Sequence, residues 1–92
     1  MDAATHASVW DALADTPQEA ANLSARSQVM RQLAAIIGGH GRTQSEAAKR
    51  CGVTQPRMND LLRGRIDRFS LDALVNIATA LGMRVSMVLE AA

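Results

Sequence analysis

The sequence predicts an all-α protein, a compact bundle of about five helices followed by a short C-terminal β-strand that can pair in a dimer. Apolar residues make up 48% of the chain but aromatic residues only 2%. The core must therefore consist of Leu, Ile, Val, Ala and Met, which favours helices over a β-sandwich. Capping residues and glycines divide most of the chain into segments of helical length. Residues 83–90 differ, because their apolar residues alternate as in a strand.

The 92 residues are expected to form a single domain with one modest core. We expect residues 1–15 to be an extension with a short helix and residues 16–92 to be the folded domain. The single cysteine, Cys51, excludes an internal disulfide, and His6 and His40 lack metal-ligand spacing with it. The sequence therefore predicts neither a metal nor a cofactor. No apolar run reaches the length of a membrane span and the start of the chain does not resemble a signal peptide, so we expect a cytoplasmic location.

The first predicted helix is short. Val9, Trp10 and Leu13 are spaced so that they can lie together on one or two helical turns. We expect Trp10 to pack on the main body, because a lone tryptophan in an aromatic-poor protein is usually needed for packing. The alternative is that Trp10 contacts a partner protein.

A long helix is expected to begin after Thr16. This residue is a favourable N-cap, Pro17 suits the first helical position, and Glu19 completes a capping box. Glycines at 38–39 end the helix. An apolar stripe at steps of three and four residues follows its length: Leu23, Met30, Leu33, Ala34 and Ile37. A second face, buried against the N-terminal turn or against another molecule, is indicated by two apolar residues off this stripe, Val29 and Ile36.

Two short helices joined by a tight turn are predicted in the middle of the chain. Thr43 caps the first, with Glu46 three positions later, and Gly52 ends it because glycine tolerates a left-handed conformation. Thr54 caps the second, where an early Pro56 loses no hydrogen bond since first-turn amides lack helical partners. The apolar residues expected between the two helices are Ala47, Ala48, Cys51, Val53, Met58, Leu61 and Leu62.

A basic connector at 64–68 leads to another strongly predicted helix, with Ser70 as its N-cap and Gly82 at its end. Phe69, just before the cap, can pack against Leu74 or Val75 as a hydrophobic staple. The apolar stripe expected to close the core consists of Leu71, Leu74, Val75, Ala78 and Leu81.

The predicted strand at the C-terminal end has no obvious partner. Its apolar positions are Met83, Val85, Met87 and Leu89. A single strand cannot satisfy its own backbone, so we hypothesise that it pairs with the same strand of a second protomer or with a sheet edge on another protein. The alternative is one more helical turn at 86–92, because short apolar runs are ambiguous.

Positive charge is concentrated in the middle of the chain. Between 42 and 68, seven basic residues stand against three acidic ones, whereas the segments on either side are both net negative. The charges of such a segment usually do no more than keep one face of a protein solvated, but this segment coincides with the two short helices. Contact with the phosphates of a nucleic acid would need positive charge there.

The spacing within 43–64 resembles the helix-turn-helix of the phage-repressor family, which includes lambda repressor and Cro and is also called Xre. In that family a Gln, an Ala, a Gly, two aliphatic residues and a Leu or Ile occupy fixed positions. The matching residues are Gln44, Ala48, Gly52, Val53, Met58 and Leu61. Met58 departs from the usual Val or Ile. The alternative interpretation is an ordinary αα-hairpin in a helical bundle.

Nearly the whole chain, about 9–89, is similar to the antitoxins of the host-inhibition-of-growth group within that family, which are HigA-like. The resemblance rests on the central motif together with the segment that begins with FSLDALV and ends, in the same helix, with ALG. It implies a homodimer that represses its own operon and neutralises a RelE/HigB-like ribosome-dependent ribonuclease toxin by direct contact. The alternative is a stand-alone phage-type Xre regulator without a toxin partner.

The second short helix carries the residues expected to read double-stranded DNA in the major groove. Gln55 can pair bidentately with adenine and Arg57 with guanine. The resemblance makes Gln55 the main base-reading residue and Gln44 the residue that braces a phosphate and touches that glutamine. Asn59 is either a third base contact or a solvated side chain. Phosphate contacts are expected from Thr54 with the helix amides, and from Arg42, Lys49, Arg63 and Arg65.

Other charged residues have competing interpretations. Arg50 or Arg68 can pair with Asp60 or Asp67 rather than with DNA. An acidic N-terminal segment is the expected toxin surface, because ribonucleases need basic residues to hold RNA: Asp11, Asp15 and Glu19. We expect no enzymatic activity, since the sequence places no base near Cys51 and has no carboxylate pair or phosphate-binding loop after a strand.

Overall fold

The structure, a computed structural model, describes residues 13–91. Within them lie a 3-10 turn at Ile66–Arg68 and four α-helices: α1 Pro17–Gly39, α2 Gln44–Cys51, α3 Gln55–Leu62 and α4 Leu71–Ala80. The predicted all-α bundle is confirmed. Leu13, the last apolar residue of the predicted short helix, is helical, and the rest of that helix, including Trp10, lies outside the described residues. Among residues 13–91, no helix combines the length and the apolar character needed to cross a membrane.

The predicted helix starts are confirmed, with one difference in detail. The Glu19 amide donates to Thr16 Oγ1 at 3.0 Å, and the Glu46 amide donates to Thr43 Oγ1 at 3.1 Å. Neither glutamate carboxylate accepts from the amide of its own cap residue as a capping box requires. Glu46 instead accepts from the Thr43 hydroxyl at 3.0 Å, and Glu19 accepts from the Asp15 amide at 3.3 Å.

One hydrophobic core lies between α1, the α2–α3 pair and α4. Phe69 is its largest fully buried side chain at 1% exposure, together with Met58, Leu61 and Leu74. The core members from the other parts of the bundle are Met30, Leu33, Ile37, Ala47, Ala48, Cys51, Ile77, Ala78 and Leu81. Partly buried residues on the second face of α1, Val29 and Ile36, also pack against this core.

The predicted core is wrong at Leu62 and differs from the observed core on α4. Leu62, the last residue of α3, was expected to face inward but is 37% exposed. On α4 the predicted stripe omitted Ile77, which is 3% exposed and belongs to the core. Leu71 and Val75, which the stripe included, are only half-buried. The buried face of α4 is therefore rotated slightly from the predicted one.

Residues 83–91 form neither a helix nor a strand. The alternative of a helical turn beginning at 86 is therefore wrong for the part of that turn that is described. The predicted strand is also not formed in the single chain, because residues 13–91 contain no other strand with which it could pair. Met83 is held by its amide, which donates to the carbonyl of Ala78 at 2.9 Å, and Val85 packs partly against the core.

Candidate nucleic-acid interface

The turn between α2 and α3 sets how the two helices meet. Gly52 lies in the left-handed region, with φ 69° and ψ 30°, where a Cβ atom would be strained. The amide of Val53 donates to the carbonyl of Ala48 at 3.0 Å, which closes the end of α2. Ala47 and Ala48 of α2 are small and buried, so α3 can approach α2 closely. Met58 and Leu61 are the buried residues of α3.

The start of α3 is open to solvent. Thr54 Oγ1 accepts from the amide of Arg57 at 3.2 Å, so the cap uses the acceptor side of the hydroxyl and leaves its proton available to a phosphate oxygen. Pro56 lies in the first turn, where its lack of an N–H group removes no helical bond. The first turn of α3 therefore offers free donors and the positive end of a helix dipole to an approaching anion.

Gln55 has the most favourable position for reading bases. Its side chain is exposed on the first turn of α3, while its backbone carbonyl accepts from Gln44 Nε2 at 3.4 Å. The resemblance assigned Gln44 a bracing contact with the base-reading glutamine, and the structure places that contact on the backbone of Gln55 rather than on its amide group. Asn59 is half-exposed one turn later on the same helix.

In the isolated chain, the side chain of Arg57 makes two contacts within the protein. Its Nη1 donates to the carbonyl of Arg68 at 3.0 Å, and its Cζ lies 4.3 Å from the centroid of the Phe69 ring. This cation–π contact ties α3 to the turn that follows it. To reach a guanine, the guanidinium has to give up both contacts, so any energy gained from the base is reduced by their loss.

Replacing Arg57 by alanine should lower the free energy of unfolding by about 1 kcal/mol, because it removes a cation–π contact and a hydrogen bond. Lys49→Ala is a suitable control, since that exposed lysine makes no hydrogen bond or ion pair within the described part of the chain. Urea denaturation of both variants measures the difference. Equal stability of the two would show that the Arg57 contacts contribute nothing.

Asp60 forms ion pairs with two of the basic residues. One of its carboxylate oxygens lies 3.3 Å from Arg65 Nη1, and the other lies 3.1 Å from Arg68 Nη1. The pairing of Arg68 with Asp60, one of the ion pairs left open by the sequence, is therefore present. Arg65, predicted to contact phosphate, shares this carboxylate, although its side chain keeps 40% of its surface exposed. Its remaining N–H groups can still reach a phosphate.

The other predicted phosphate contacts lie around the helix pair without a carboxylate partner in the described residues. Lys49 and Arg63 are exposed, and Arg42 is half-exposed ahead of α2. Lys49 is on the last turn of α2, and Arg63 directly follows α3. Their charges are therefore available to a polyanion that approaches the open start of α3.

The structure also shows a residue that the sequence did not single out. Arg26 on α1 donates from Nη1 to the carbonyls of both Ile66 and Phe69, each at 3.1 Å. It therefore ties α1 to the turn after α3, which Arg57 also contacts. No local pattern marks Arg26, because its partners lie 40 and 43 residues away.

Cys51 has the structural role that was predicted. Its side chain is 8% exposed and belongs to the core. Burial raises the pKa of the thiol, and the positive charges of Arg42 and Arg50 offset only part of that rise. The thiol therefore stays protonated at neutral pH and packs as a small apolar group.

A protein-family model described as a helix-turn-helix domain matches residues 12–90. No curated protein matches the chain. Because the family model covers most of the sequence, the chain belongs to this helix-turn-helix family, and such a domain indicates a DNA-binding regulator.

Proposed function

We propose that this member of the helix-turn-helix family is a sequence-specific repressor that reads double-stranded DNA with α3 in the major groove. The observation that carries this proposal is the exposed Gln55 on the first turn of α3, with Gln44 bonded to its carbonyl. A glutamine in this position can pair with both N6 and N7 of adenine. The proposal includes two further base contacts, from Asn59 and Arg57. The Arg57 contact is the weaker one, because its guanidinium must first leave Arg68 and Phe69.

Phosphate contacts hold α3 in register in the proposed complex. Thr54 and the first amides of α3 bind one phosphate, and Gln44 helps to bind it from α2. The basic residues around the helix pair add affinity that does not depend on sequence: Arg42, Lys49, Arg63 and Arg65.

Lys49→Ala should weaken binding to operator and to random DNA by the same factor and reduce the salt dependence of binding by about one counterion per subunit. Arg31→Ala is the matched control, because Arg31 is an exposed basic residue on α1, outside the helix pair. Fluorescence anisotropy at several salt concentrations gives both quantities. A loss confined to the operator would contradict the role of Lys49 as a phosphate contact.

The repressor acts as a homodimer in this proposal, because one α3 helix offers few base contacts for selective binding. Two α3 helices related by a two-fold axis would read half-sites about 10 base pairs apart, roughly one turn of DNA. The segment 83–90 would form its strand in the dimer, where a second copy supplies the missing backbone partners.

Truncation after Gly82 should convert the dimer to a monomer, since it removes the proposed strand but none of the four helices. It should also weaken operator binding, because two half-sites are then no longer bound together. Analytical ultracentrifugation of both chains tests this. A truncated protein that stays dimeric would refute dimerisation through the C-terminal segment.

The regulator is further proposed to be a cytoplasmic antitoxin without enzymatic activity, which neutralises a RelE/HigB-like toxin and represses the operon that encodes both. The support is the resemblance of the sequence together with exposed carboxylates at the N-terminal side of α1, Asp15 and Glu19. Asp11, the third residue of this proposed toxin surface, lies outside the described residues. Acidic residues suit a partner that carries basic residues for RNA.

Purification of the protein from its native host, followed by mass spectrometry, tests the toxin assignment. A small basic protein in stoichiometric amount, whose gene neighbours that of this chain, is the expected result. Co-expression of the two genes should then yield a stable complex. Recovery of DNA without any such protein would favour the alternative, a stand-alone phage-type Xre regulator.

A further inference from the structure

The C-terminal segment carries the largest group of exposed apolar side chains in the described part of the protein. Met83 is 46% exposed, Met87 57%, Val88 83% and Leu89 100%. Four such residues lie within seven positions, and a concentration of exposed apolar side chains in a monomeric protein usually marks an interaction surface.

The backbone of this segment is also unpaired. From Arg84 to Ala91, no backbone N–H or C=O group takes part in a backbone hydrogen bond with another described residue. A groove with a volume of about 500 Å³ separates the segment from α1, where Val29, Leu33 and Ile36 line the opposite wall. Exposed apolar side chains, free backbone groups and an adjacent apolar groove together fit an additional β-strand.

We infer that the strand that occupies this surface is the same segment of a second copy, paired antiparallel with Met87 on the two-fold axis. In this register, two residues face each other across the strands when their residue numbers add up to 174. Arg84 then lies opposite Glu90, Val85 opposite Leu89, and Ser86 opposite Val88. The inference deepens the proposed homodimer by fixing which residues meet.

Side-chain alternation limits the possible registers. Met83, Val85, Met87 and Leu89 share one face of an extended strand, and Arg84, Ser86, Val88 and Glu90 share the other. In an antiparallel pair, opposite residues lie on the same face of the sheet. Only registers centred on a residue, and not between two residues, therefore keep the apolar faces of both strands together. The apolar face is the one that carries Val85, which packs partly against the core.

Charge selects one of these registers. With Met87 on the axis, Arg84 of each copy faces Glu90 of the other, so the dimer has two such pairs. With the axis moved to Ser86, Arg84 faces Val88; with the axis at Val88, Glu90 faces Ser86. The two charges of the segment find opposite charges only in the first register, and opposite charges across strands stabilise the pairing.

Disulfide trapping in the full-length chain tests the register. We expect Met87→Cys, in a Cys51→Ala background, to form a disulfide-linked dimer on mild oxidation, because facing Cα atoms of antiparallel strands lie within disulfide range. Ser86→Cys and Val88→Cys should each stay unlinked alone, since each is diagonal to itself across the axis. A mixture of these two variants should link. Self-linkage of Ser86→Cys or Val88→Cys in preference to Met87→Cys would overturn the inference.

Charge exchange gives a second test that needs no cysteine. Arg84→Glu should weaken the dimer by about tenfold, because it places like charges opposite each other twice. Combining it with Glu90→Arg should restore the wild-type dissociation constant. Failure of the double variant to restore dimerisation would contradict the pairing of Arg84 with Glu90.

The outcome for DNA binding is separate from the outcome for the register. If no Met87→Cys dimer forms and the protein sediments as a monomer, the inference fails, yet operator binding by α3 can still be measured on the same sample. If the trapped dimer forms but binds no DNA sequence selectively, the strand pairing stands and the proposed repressor function fails.

Discussion

Replacing Gln55 by alanine should remove most of the preference of this protein for its operator over random DNA. A bidentate contact between glutamine and adenine contributes about 1–3 kcal/mol of discrimination, and a symmetric dimer loses it in both half-sites. The expected loss in specific binding is therefore about 2–6 kcal/mol, which is larger than for any other single substitution on α3. Competition between operator and random DNA in a gel-shift assay measures it.

The position of Gln55 explains why replacing it should reduce specific binding more than replacing Arg57. Its side chain is exposed, and its backbone is held through Gln44, so the amide group is free to bind a base. The guanidinium of Arg57 must first leave Arg68 and Phe69. Gln18→Ala, an exposed glutamine on the first turn of α1, is the control and should bind as wild type. Equal losses on operator and random DNA for Gln55→Ala would argue against base reading.

Replacing Phe69 by alanine should have the largest effect on stability, a loss of about 3–5 kcal/mol in the free energy of unfolding. Phe69 is the largest fully buried side chain, and its ring also supports Arg57. A domain of this size has only about 5–15 kcal/mol in total, so the variant should be partly unfolded at 37 °C. Thermal denaturation followed by circular dichroism is the measurement.

Leu62→Ala is the control for Phe69→Ala. Leu62 is 37% exposed, so its truncation should change stability by less than about 1 kcal/mol. Similar melting temperatures for the two variants would mean that Phe69 is not central to the core. Because Arg26 and Arg57 hold the turn around Phe69, its loss should also disturb the orientation of α3 and weaken operator binding in the fraction that stays folded.

Sequence patterns predicted the parts of this fold that depend on neighbouring residues. Thr16, Thr43, Thr54 and Ser70 were each expected to cap a helix, and each accepts from the amide three residues later. The turn at Gly52 was predicted for the same reason, since a positive φ at the end of a helix selects glycine without reference to the rest of the chain.

Features that depend on distant residues were missed. Nothing near Arg26 in the sequence indicates that it bonds to carbonyls at 66 and 69. The Arg57 side chain was likewise expected to point outward, although its guanidinium stacks on the ring of Phe69, 12 positions later. Helical periodicity predicted the core face of α4 only approximately. Ile77 was not predicted to be buried, because on a short helix several neighbouring positions match an apolar stripe almost equally well.

The conformation of residues 83–91 could not be settled from the chain alone, because a strand is defined by its partner. The alternation of Met83, Val85, Met87 and Leu89 indicates an extended segment, and the exposed apolar side chains agree with that pattern. The inferred pairing of Arg84 with Glu90 involves two copies, so no pattern within one chain could predict it.

Selection of binding sites from random double-stranded DNA, with the full-length protein at physiological salt, tests the central claim most directly. We predict enrichment of two related half-sites about 10 base pairs apart, each with an adenine that Gln55 reads, and the same sequence upstream of the gene for this chain. The Gln55→Ala variant should lose that preference. Enrichment of no sequence, or a preference that Gln55→Ala leaves intact, would contradict a repressor that reads DNA through α3.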